Sequence, residues 1–433
     1  MFPILFFCIF MGFPVAFCLM ALAFFYGLNT FGWAIGHQIL GTVFTVATSY
    51  EYAAIPLFVF MGVLLENSGL AGKLFEAINI WTGRIPGGLA IGSIIMCTIF
   101  AAASGIIGAV EVVVGIFAIP AMMKHHYNKG LIAGSICAGG ALGTIIPPSI
   151  VAVIYAPMAN ISIGGLLIGI VIPGLLLAFS YIMYMLVRCI IRPHDGPRLS
   201  REEMARYSIR EKMRITLDSL IPPMILIFAV MGSIVFGVAA PTEAAALGAL
   251  GAVLLCVYNK KFDFKLLIKS TANTATVTTM IMFIIVGGNT FAGIFMAKGG
   301  GTLIETFIKT LDLSPMSMAL IFLFIAFLAG FVLDCYSIML VFVPIFAPLV
   351  AKAGIDPLWF AVLFMLIIQT SYITPPMAPS IFYLRGIAPP EITMTDMFKG
   401  IIPHVLCQWL VIGLVLLYPK LATWLPSIGL GFK

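Results

Sequence analysis

Charge is what this chain has least of. Only 9% of its 433 residues are Asp, Glu, Lys or Arg, against 62% hydrophobic, and the mean hydropathy is +1.14. Soluble domains carry about 25% charged residues, so the composition excludes a soluble globular fold and indicates an all-α polytopic membrane protein. At ~20 residues per crossing, with loops, the length allows roughly ten to thirteen membrane elements. Cysteine supplies no framework. The eight, at 8, 18, 97, 137, 189, 256, 335 and 407, stand singly in apolar runs without metal-ligand spacing, and read as small hydrophobic residues. The stretch from Met1 to Tyr26 lacks a basic n-region and an Ala-x-Ala site, which argues for a retained span rather than a signal peptide. A net charge of +6 does not imply nucleic acid, because the bases do not spread over a face. Eight of the 23 Lys and Arg lie between Arg188 and Arg214, against four acids, the positive-inside signature of one cytoplasmic loop, taken as 188–217.

What is present is a repeated break. Thr144-Ile145-Ile146-Pro147-Pro148-Ser149 and Tyr372-Ile373-Thr374-Pro375-Pro376-Met377 each interrupt an apolar segment. A proline pair removes two amide donors and its rings clash with the preceding turn, so both helices are expected to break there. In hydrocarbon an unpaired carbonyl costs several kcal/mol, so such backbone persists only where it faces protein, water or a bound ion. Matching interruptions in two halves point to a transporter's binding site. The repeat extends further: Gly105 answers Gly330, Pro120 answers Pro344, Pro147 answers Pro375 and Pro173 answers Pro403, at offsets of 225, 224, 228 and 230. Upstream of each set lies an amphipathic segment expected in the interface plane. Leu70, Leu74, Ile78 and Trp81 share a face away from Lys73 and Glu76, and Leu303, Phe307 and Leu311 face away from Glu305 and Asp312.

Between each amphipathic segment and its proline pair comes an apolar block with a single charge. Gly87 to Met123 holds 37 residues and Glu111, and Met316 to Ala351 holds 36 residues and Asp334. Each is long for one crossing and short for two with a loop, and each has turn residues near its middle, Ala103-Ser104-Gly105 and Gly330 through Asp334. A re-entrant helical hairpin fits; two full spans with a very tight turn are the alternative. Tips and breaks together supply helix ends and free carbonyls for a cation such as Na+. One ion is placed among Ser104 and the backbone oxygens of Gly143, Ile146 and Pro148. A second is placed, by pseudo-symmetry, near Gly330, Asp334, Ser371, Thr374 and Pro376. Asp334 serves as ligand or as helix cap, and each hydroxyl can instead bond its own i−4 carbonyl.

Other motifs are structural in character. Pro241-Thr242-Glu243-Ala244 opens an alanine-rich helix, Glu243 favouring its N-terminal dipole. Gly139 with Gly143, and Gly165 with Gly169, fit small-xxx-small helix packing. His125-His126, between Lys124 and Lys129, belongs to a solvated turn.

In order along the chain come Ala54-Ile55-Pro56-Leu57-Phe58 with Gly62, Ser104-Gly105, Gly143-Thr144-Ile145-Ile146-Pro147-Pro148-Ser149-Ile150, and Pro241-Thr242-Glu243-Ala244-Ala245. Across essentially its whole length the chain resembles the large membrane (M) subunit of tripartite ATP-independent periplasmic (TRAP) transporters, DctM-like. An odd number of crossings per half makes the two structural repeats inverted, and the resemblance implies an elevator mechanism in the inner membrane of a bacterium. It implies Na+-driven uptake, with two or more ions, of a carboxylate-bearing solute of the C4-dicarboxylate, 2-oxo or hydroxy acid, or sialic-acid type. The solute would come from a periplasmic substrate-binding (P) protein, and a small membrane (Q) subunit would complete the complex, both as separate chains. Residues 87–156 and 316–384 would form the moving transport domain. Residues 1–86, 157–315 and 385–433 would form the scaffold and its two interfacial arms.

Both apolar blocks lack Lys and Arg, so the carboxylate is expected to rest on tip amides, hydroxyls and bound sodium, with Ser104, Gly105, Thr144 and Ser149 as candidates; an arginine from the scaffold or the small subunit is the alternative. One departure from the family matters. Many members continue the first tip as Ser-Gly-Ser-Ser, whereas here Ser104-Gly105 is followed by Ile106-Ile107-Gly108 and then Glu111, so contacts made by those hydroxyls do not carry over. The rival readings are an ion-coupled anion transporter or exchanger that works without a binding protein, and an intramembrane enzyme. Against the enzyme stand the missing paired acids, Ser/His pairing and His/Glu metal constellation.

The basic loop sets the orientation. A cysteine replacing Ser200, in a background without native cysteines, should react with an impermeant thiol reagent only when the cytoplasmic face is open; labelling from outside intact cells would invert the topology.

Overall fold

The computed structural model of the chain describes residues 1–105, 108–200 and 208–428. Ile106 and Ile107 of the first tip, residues 201–207 of the basic loop, residues 429–433 and the side chain of Phe307 lie outside the described residues. All regular structure described is helical. The first half runs α1 (Phe2–Phe10), α2 (Val15–Phe31), α3 (Ile35–Thr48), α4 (Ala54–Asn67), α5 (Leu70–Thr82), α6 (Gly88–Ser104), α7 (Ala109–Lys124), α8 (Lys129–Ala141), α9 (Ile150–Met158), α10 (Ile163–Gly169) and α11 (Val171–Ile191). The second runs α12 (Ile209–Val235), α13 (Pro241–Tyr258), α14 (Phe264–Ala297), α15 (Gly300–Thr310), α16 (Pro315–Ala329), α17 (Cys335–Lys352), α18 (Pro357–Ile373), α19 (Pro379–Arg385), α20 (Met394–Leu417) and α21 (Lys420–Ile428).

Seven helical stretches among the described residues are long and apolar enough to cross a bilayer, while α6, α16 and α18 are apolar but shorter. The 17 residues of α6 and 15 of α16 rise only about 22 to 26 Å, less than a ~30 Å hydrocarbon core. Their partners α7 and α17 follow directly, so each apolar block forms a helical hairpin whose first arm is short. Met1 to Tyr26 is not one span. Gly12, at φ +89, and Pro14 separate α1 from α2, and the crossing stretch runs Val15–Thr48 through the 3-10 turn Gly32–Ala34.

Four landmarks of the repeat occupy equivalent places. Gly105 and Gly330 are the C-caps of α6 and α16, Pro120 and Pro344 lie inside α7 and α17, and Pro173 and Pro403 lie inside α11 and α20. Both proline pairs, Pro147-Pro148 and Pro375-Pro376, are cis, and each separates a helix, α8 or α18, from a short continuation, α9 or α19. The continuations cross over. α9 packs on α17 and α18 of the second repeat, and α19 packs on α7 and α8 of the first. Tyr155 of α9 meets Phe364 of α18 with ring centroids 5.6 Å apart, and the Ser380 hydroxyl of α19 donates to the Cys137 carbonyl of α8 at 3.1 Å. The two repeats are therefore interlocked.

The two amphipathic segments differ. α5 turns from α4 by 68° at Gly69, whose φ of +72 suits glycine, and buries Leu70, Leu74 and Ile78 against α6, α7 and α12. Trp81 does not join that face; it is half exposed and its indole N–H donates to the Thr216 hydroxyl at 2.8 Å. α15 leaves Leu303 71% exposed at the rim of an apolar cavity of about 630 Å³ that Phe2, Phe6, Phe10 and Phe346 also line. Protein covers the first arm's apolar side, whereas the second opens outward, as an interfacial helix does.

The start of the basic loop is not a free solvated segment. Asp195 is buried and ion-paired to Arg188 at 3.1 Å, its carbonyl accepts from the Asn128 N–H at 2.9 Å, and the Tyr127 hydroxyl donates to the Pro197 carbonyl at 2.9 Å. The Gly196 carbonyl accepts from the Gly87 N–H at 2.9 Å. The loop thus straps the base of the first hairpin to α11.

Helix α8 meets α20 through glycine. A Cβ on Gly400 would overlap the Gly130 backbone, and one on Gly134 would fall 2.8 Å from the Gly400 carbonyl carbon. Gly139 and Gly169 also make close approaches, to Cys97 and to the Ala422 carbonyl. Because overpacking at a rigid backbone contact costs about 1–3 kcal/mol, Gly400→Ala should lower the melting temperature of the purified protein. Gly413→Ala on the same helix, where a Cβ would meet nothing within 4 Å, should not.

Candidate ion and solute site

The first tip closes on the first break. α6 ends at Ser104, and Gly105 caps it at φ +59. A Cβ on Gly105 would lie 3.0 Å from the Pro148 carbonyl oxygen. Glycine is needed here twice, for the left-handed turn and for the clearance. The break runs from the 3-10 turn Leu142–Thr144 to Ser149, which caps α9. None of the carbonyls of Gly143, Ile146 and Pro148 accepts a hydrogen bond among the described residues. The Ser104 hydroxyl is buried with no partner. The tip therefore meets the break at Gly105 and Pro148, and the Ser104 hydroxyl and these three carbonyls have no hydrogen-bond partner among the described residues.

The candidate hydroxyls of the break are already engaged as donors. Thr144 donates to the Ala141 carbonyl at 2.9 Å and Ser149 to the Thr144 carbonyl at 2.6 Å. Ser149 also receives the Ala152 N–H at 3.5 Å, a long cap bond. All three candidate solute contacts beside Ser104, namely Gly105, Thr144 and Ser149, are buried. A hydroxyl whose proton is spent on a carbonyl presents lone pairs, which suit a cation better than an anion.

The second tip meets the second break by a different contact. Gly330 has an ordinary helical φ of −67, but a Cβ there would overlap the Ser371 side chain, so clearance alone demands glycine. Ser371 donates to the Ile368 carbonyl at 2.8 Å and Thr374 to the Thr370 carbonyl at 2.6 Å. Thr374 ends α18, and Pro376 follows in the cis pair. Asp334 takes the helix-cap role. One carboxylate oxygen accepts the N–H groups of Tyr336 at 3.1 Å and Ser337 at 3.4 Å, and the other accepts the Ser337 hydroxyl. Gly330 and Ser371 are brought together; Asp334 is turned onto its own helix.

Helix ends converge on these junctions. The C-terminal ends of α6, α8, α16 and α18 and the N-terminal ends of α7, α9, α17 and α19 bound the tips and breaks. Their partial charges are of both signs, which can serve a cation and an anion side by side.

Three features escaped the sequence reading. Gly62 of α4 supports the tip, since a Cβ there would overlap the Ser104 carbonyl; its presence in the Ala54–Phe58 motif was the available signal. Gln369 and Tyr372 of α18 are buried and their side-chain polar atoms lack partners, the signal being an amide within a 17-residue apolar helix. Glu111 is 0% exposed and neither carboxylate oxygen has a partner among the described residues. Pro241 and Glu243 do what the motif implied. Pro241 opens α13 and Glu243 accepts the Ala240 N–H at 2.9 Å.

Comparison with known proteins shows the family and the fold. Over 390 residues the chain is 31% identical to the C4-dicarboxylate TRAP transporter large permease protein DctM of Pseudomonas aeruginosa, covering 90% of this chain and 87% of that one. It is 28% identical over 432 residues to the sialic acid TRAP transporter large permease protein SiaM of Vibrio cholerae, covering 98% and 97%. The fold matches the crystal structure of the Alcanivorax borkumensis YdaH transporter with a TM-score of 0.65 over 88% of this chain and 86% of that one, at 13% identity. The model of the tripartite ATP-independent periplasmic transporter DctM component matches residues 2–421, and the chain belongs to that family of multi-pass membrane permeases.

Proposed function

We propose that this permease imports a carboxylate-bearing solute by Na+ symport, moving it on an elevator built from residues 87–156 and 316–384. The observation that carries the reading is the first tip and break, where the Ser104 hydroxyl and the carbonyls of the buried residues Gly143, Ile146 and Pro148 have no hydrogen-bond partner among the described residues. Four neutral oxygens in apolar surroundings are costly unless something binds them. A monovalent cation that sheds its water for carbonyls is suited to that role. The second ion belongs to the junction of Gly330, Ser371, Thr374 and Pro376, with Asp334 adding negative charge at one remove.

The elevator reading draws support from the crossed packing of α9 and α19, which lets the two inverted hairpin-and-break units travel as one body. α4 and α14 meet that body at glycines, Gly62 against Ser104 and Gly288 against the Leu340 carbonyl. The relatives named above carry C4-dicarboxylate and sialic acid in their names, and both solutes are carboxylates. An anion near these tips has helix N-termini and bound sodium for compensation. A periplasmic binding protein delivers the solute and a small membrane subunit covers part of the exposed apolar surface.

Two measurements test this. In liposomes holding this chain with its small subunit and binding protein, an inward Na+ gradient should drive uptake and a proton gradient alone should not. Full uptake in Na+-free buffer would remove the coupling.

Ser104→Ala removes one neutral ligand worth ~1 kcal/mol, so the Na+ concentration for half-maximal uptake should rise roughly fivefold with normal insertion. An unchanged Na+ dependence would move the ion away from Ser104.

A further inference from the structure

Glu111 is the one charged residue of the first apolar block, and it sits in the first turn of α7 where the two repeats interlock. Its carboxyl lies against α8 at Gly140, so closely that a Cβ there would come within 2.8 Å of Oε2 and overlap Cγ and Cδ. From its own helix end the amides of Glu111 and Gly108 face it, and from the second repeat the hydroxyls of Ser380 on α19 and Tyr372 on α18 do. None of these forms an aligned hydrogen bond to either oxygen. The Ser380 proton is given to the Cys137 carbonyl at 3.1 Å, and the Tyr372 hydroxyl has no partner.

Among the described residues no basic group answers the carboxyl. The titratable side chains facing it are Cys97 of α6, Cys137 of α8, Tyr372 of α18 and Tyr383 of α19, all neutral when protonated. The charged residues of α5, Lys73 and Glu76, are on its exposed side. An ionised carboxylate without counter-charge is strongly unfavourable in a low-dielectric interior, and such a group neutralises by taking up a proton or a cation. A cation needs a shell of oxygens, and among the described residues the Ser380 and Tyr372 hydroxyls are the side-chain oxygens that face the carboxyl; a proton needs one acceptor atom.

We propose that Glu111 is a proton-binding site inside the transport domain, kept as the neutral acid while α7 and α19 are packed. Loss of the proton places a bare charge between the repeats and loosens their interlock. Transport therefore falls as pH rises, at a fixed Na+ gradient, because the neutral form supports the packed domain and the ionised form does not. The proton moves between Glu111 and water on opening of the α7–α19 contact, with no other bond changed. The site is separate from the sodium junctions and does not depend on which solute is carried.

Infrared difference spectroscopy on the purified protein reads the carboxyl itself. At neutral pH the wild type should show a protonated-carboxyl C=O band that Glu111→Gln removes and Glu111→Asp shifts. Absence of any such band assignable to Glu111 overturns the proposal. In liposomes, Glu111→Gln, a mimic of the neutral acid, should keep uptake at neutral pH and abolish the alkaline fall of the wild type. If instead Glu111→Gln raises the half-saturating Na+ concentration by roughly tenfold or more while the wild type is insensitive to pH, the carboxylate is an ionised cation ligand and the proposal fails. Should the Gln variant not insert, the Asp band shift decides. The infrared readout stands or falls independently of Na+ coupling.

Discussion

Everything here depends on where a broken backbone can be placed. Hydrocarbon offers no hydrogen bonds, so a helix interrupted by two prolines must lay its freed carbonyls against protein or a bound ion. This chain does so by folding a hairpin tip onto each break. Gly105 comes against the Pro148 carbonyl and Gly330 against Ser371. Hairpins, breaks and crossed continuations thus answer one requirement. The short arms of α6 and α16 bring their ends to the breaks, and α9 and α19 then shield the far side of each break with the other repeat.

Close approach of this kind sets the second constraint, which is space. The contacts that position the first junction are backbone to backbone, with Gly62 meeting the Ser104 carbonyl and Gly105 meeting that of Pro148. A methyl group at either position would push the tip away from the break. The two tips also show that one landmark can have two causes. Gly105 is demanded by a positive φ as well as by clearance, whereas Gly330 has a helical φ and is demanded by the Ser371 side chain alone. Pseudo-symmetry of sequence therefore does not guarantee identical chemistry at the two junctions.

Much of the fold was legible because period, breaks and turn residues are local signals. Four landmarks at near-constant offset placed both hairpins and both breaks, and composition placed the chain in a bilayer. What the pattern did not carry were contacts between distant segments. Helical phase grouped Trp81 with Leu70, Leu74 and Ile78, but α12 supplies Thr216 and draws the indole outward. Local charge made 188–217 a cytoplasmic loop, yet 188–191 and 209–217 are helical and Asp195 is buried by pairing with Arg188 and by the turn at Asn128. Of the candidate site, the tip at Ser104-Gly105 and the Pro147-Pro148 break that it approaches could be placed from turn chemistry. Gln369, Tyr372 and Glu111 could not, because their significance is a lack of partners, and that depends on what the other repeat brings to them.

The two acids of the apolar blocks make this point physically. Asp334 and Glu111 both stand at the N-terminal end of a hairpin's second arm, where the helix dipole favours negative charge. Asp334 precedes its helix, so its oxygens reach the Tyr336 and Ser337 amides and the Ser337 hydroxyl. Its charge is spent on holding the tip. Glu111 begins two residues inside α7, and its carboxyl is directed away to Gly140 and the second repeat, where the facing hydroxyls are misaligned or already bonded. The same dipole acts on both residues, but only the donors differ, and donors decide whether a buried acid is a structural cap or retains an unmet demand for a positive partner.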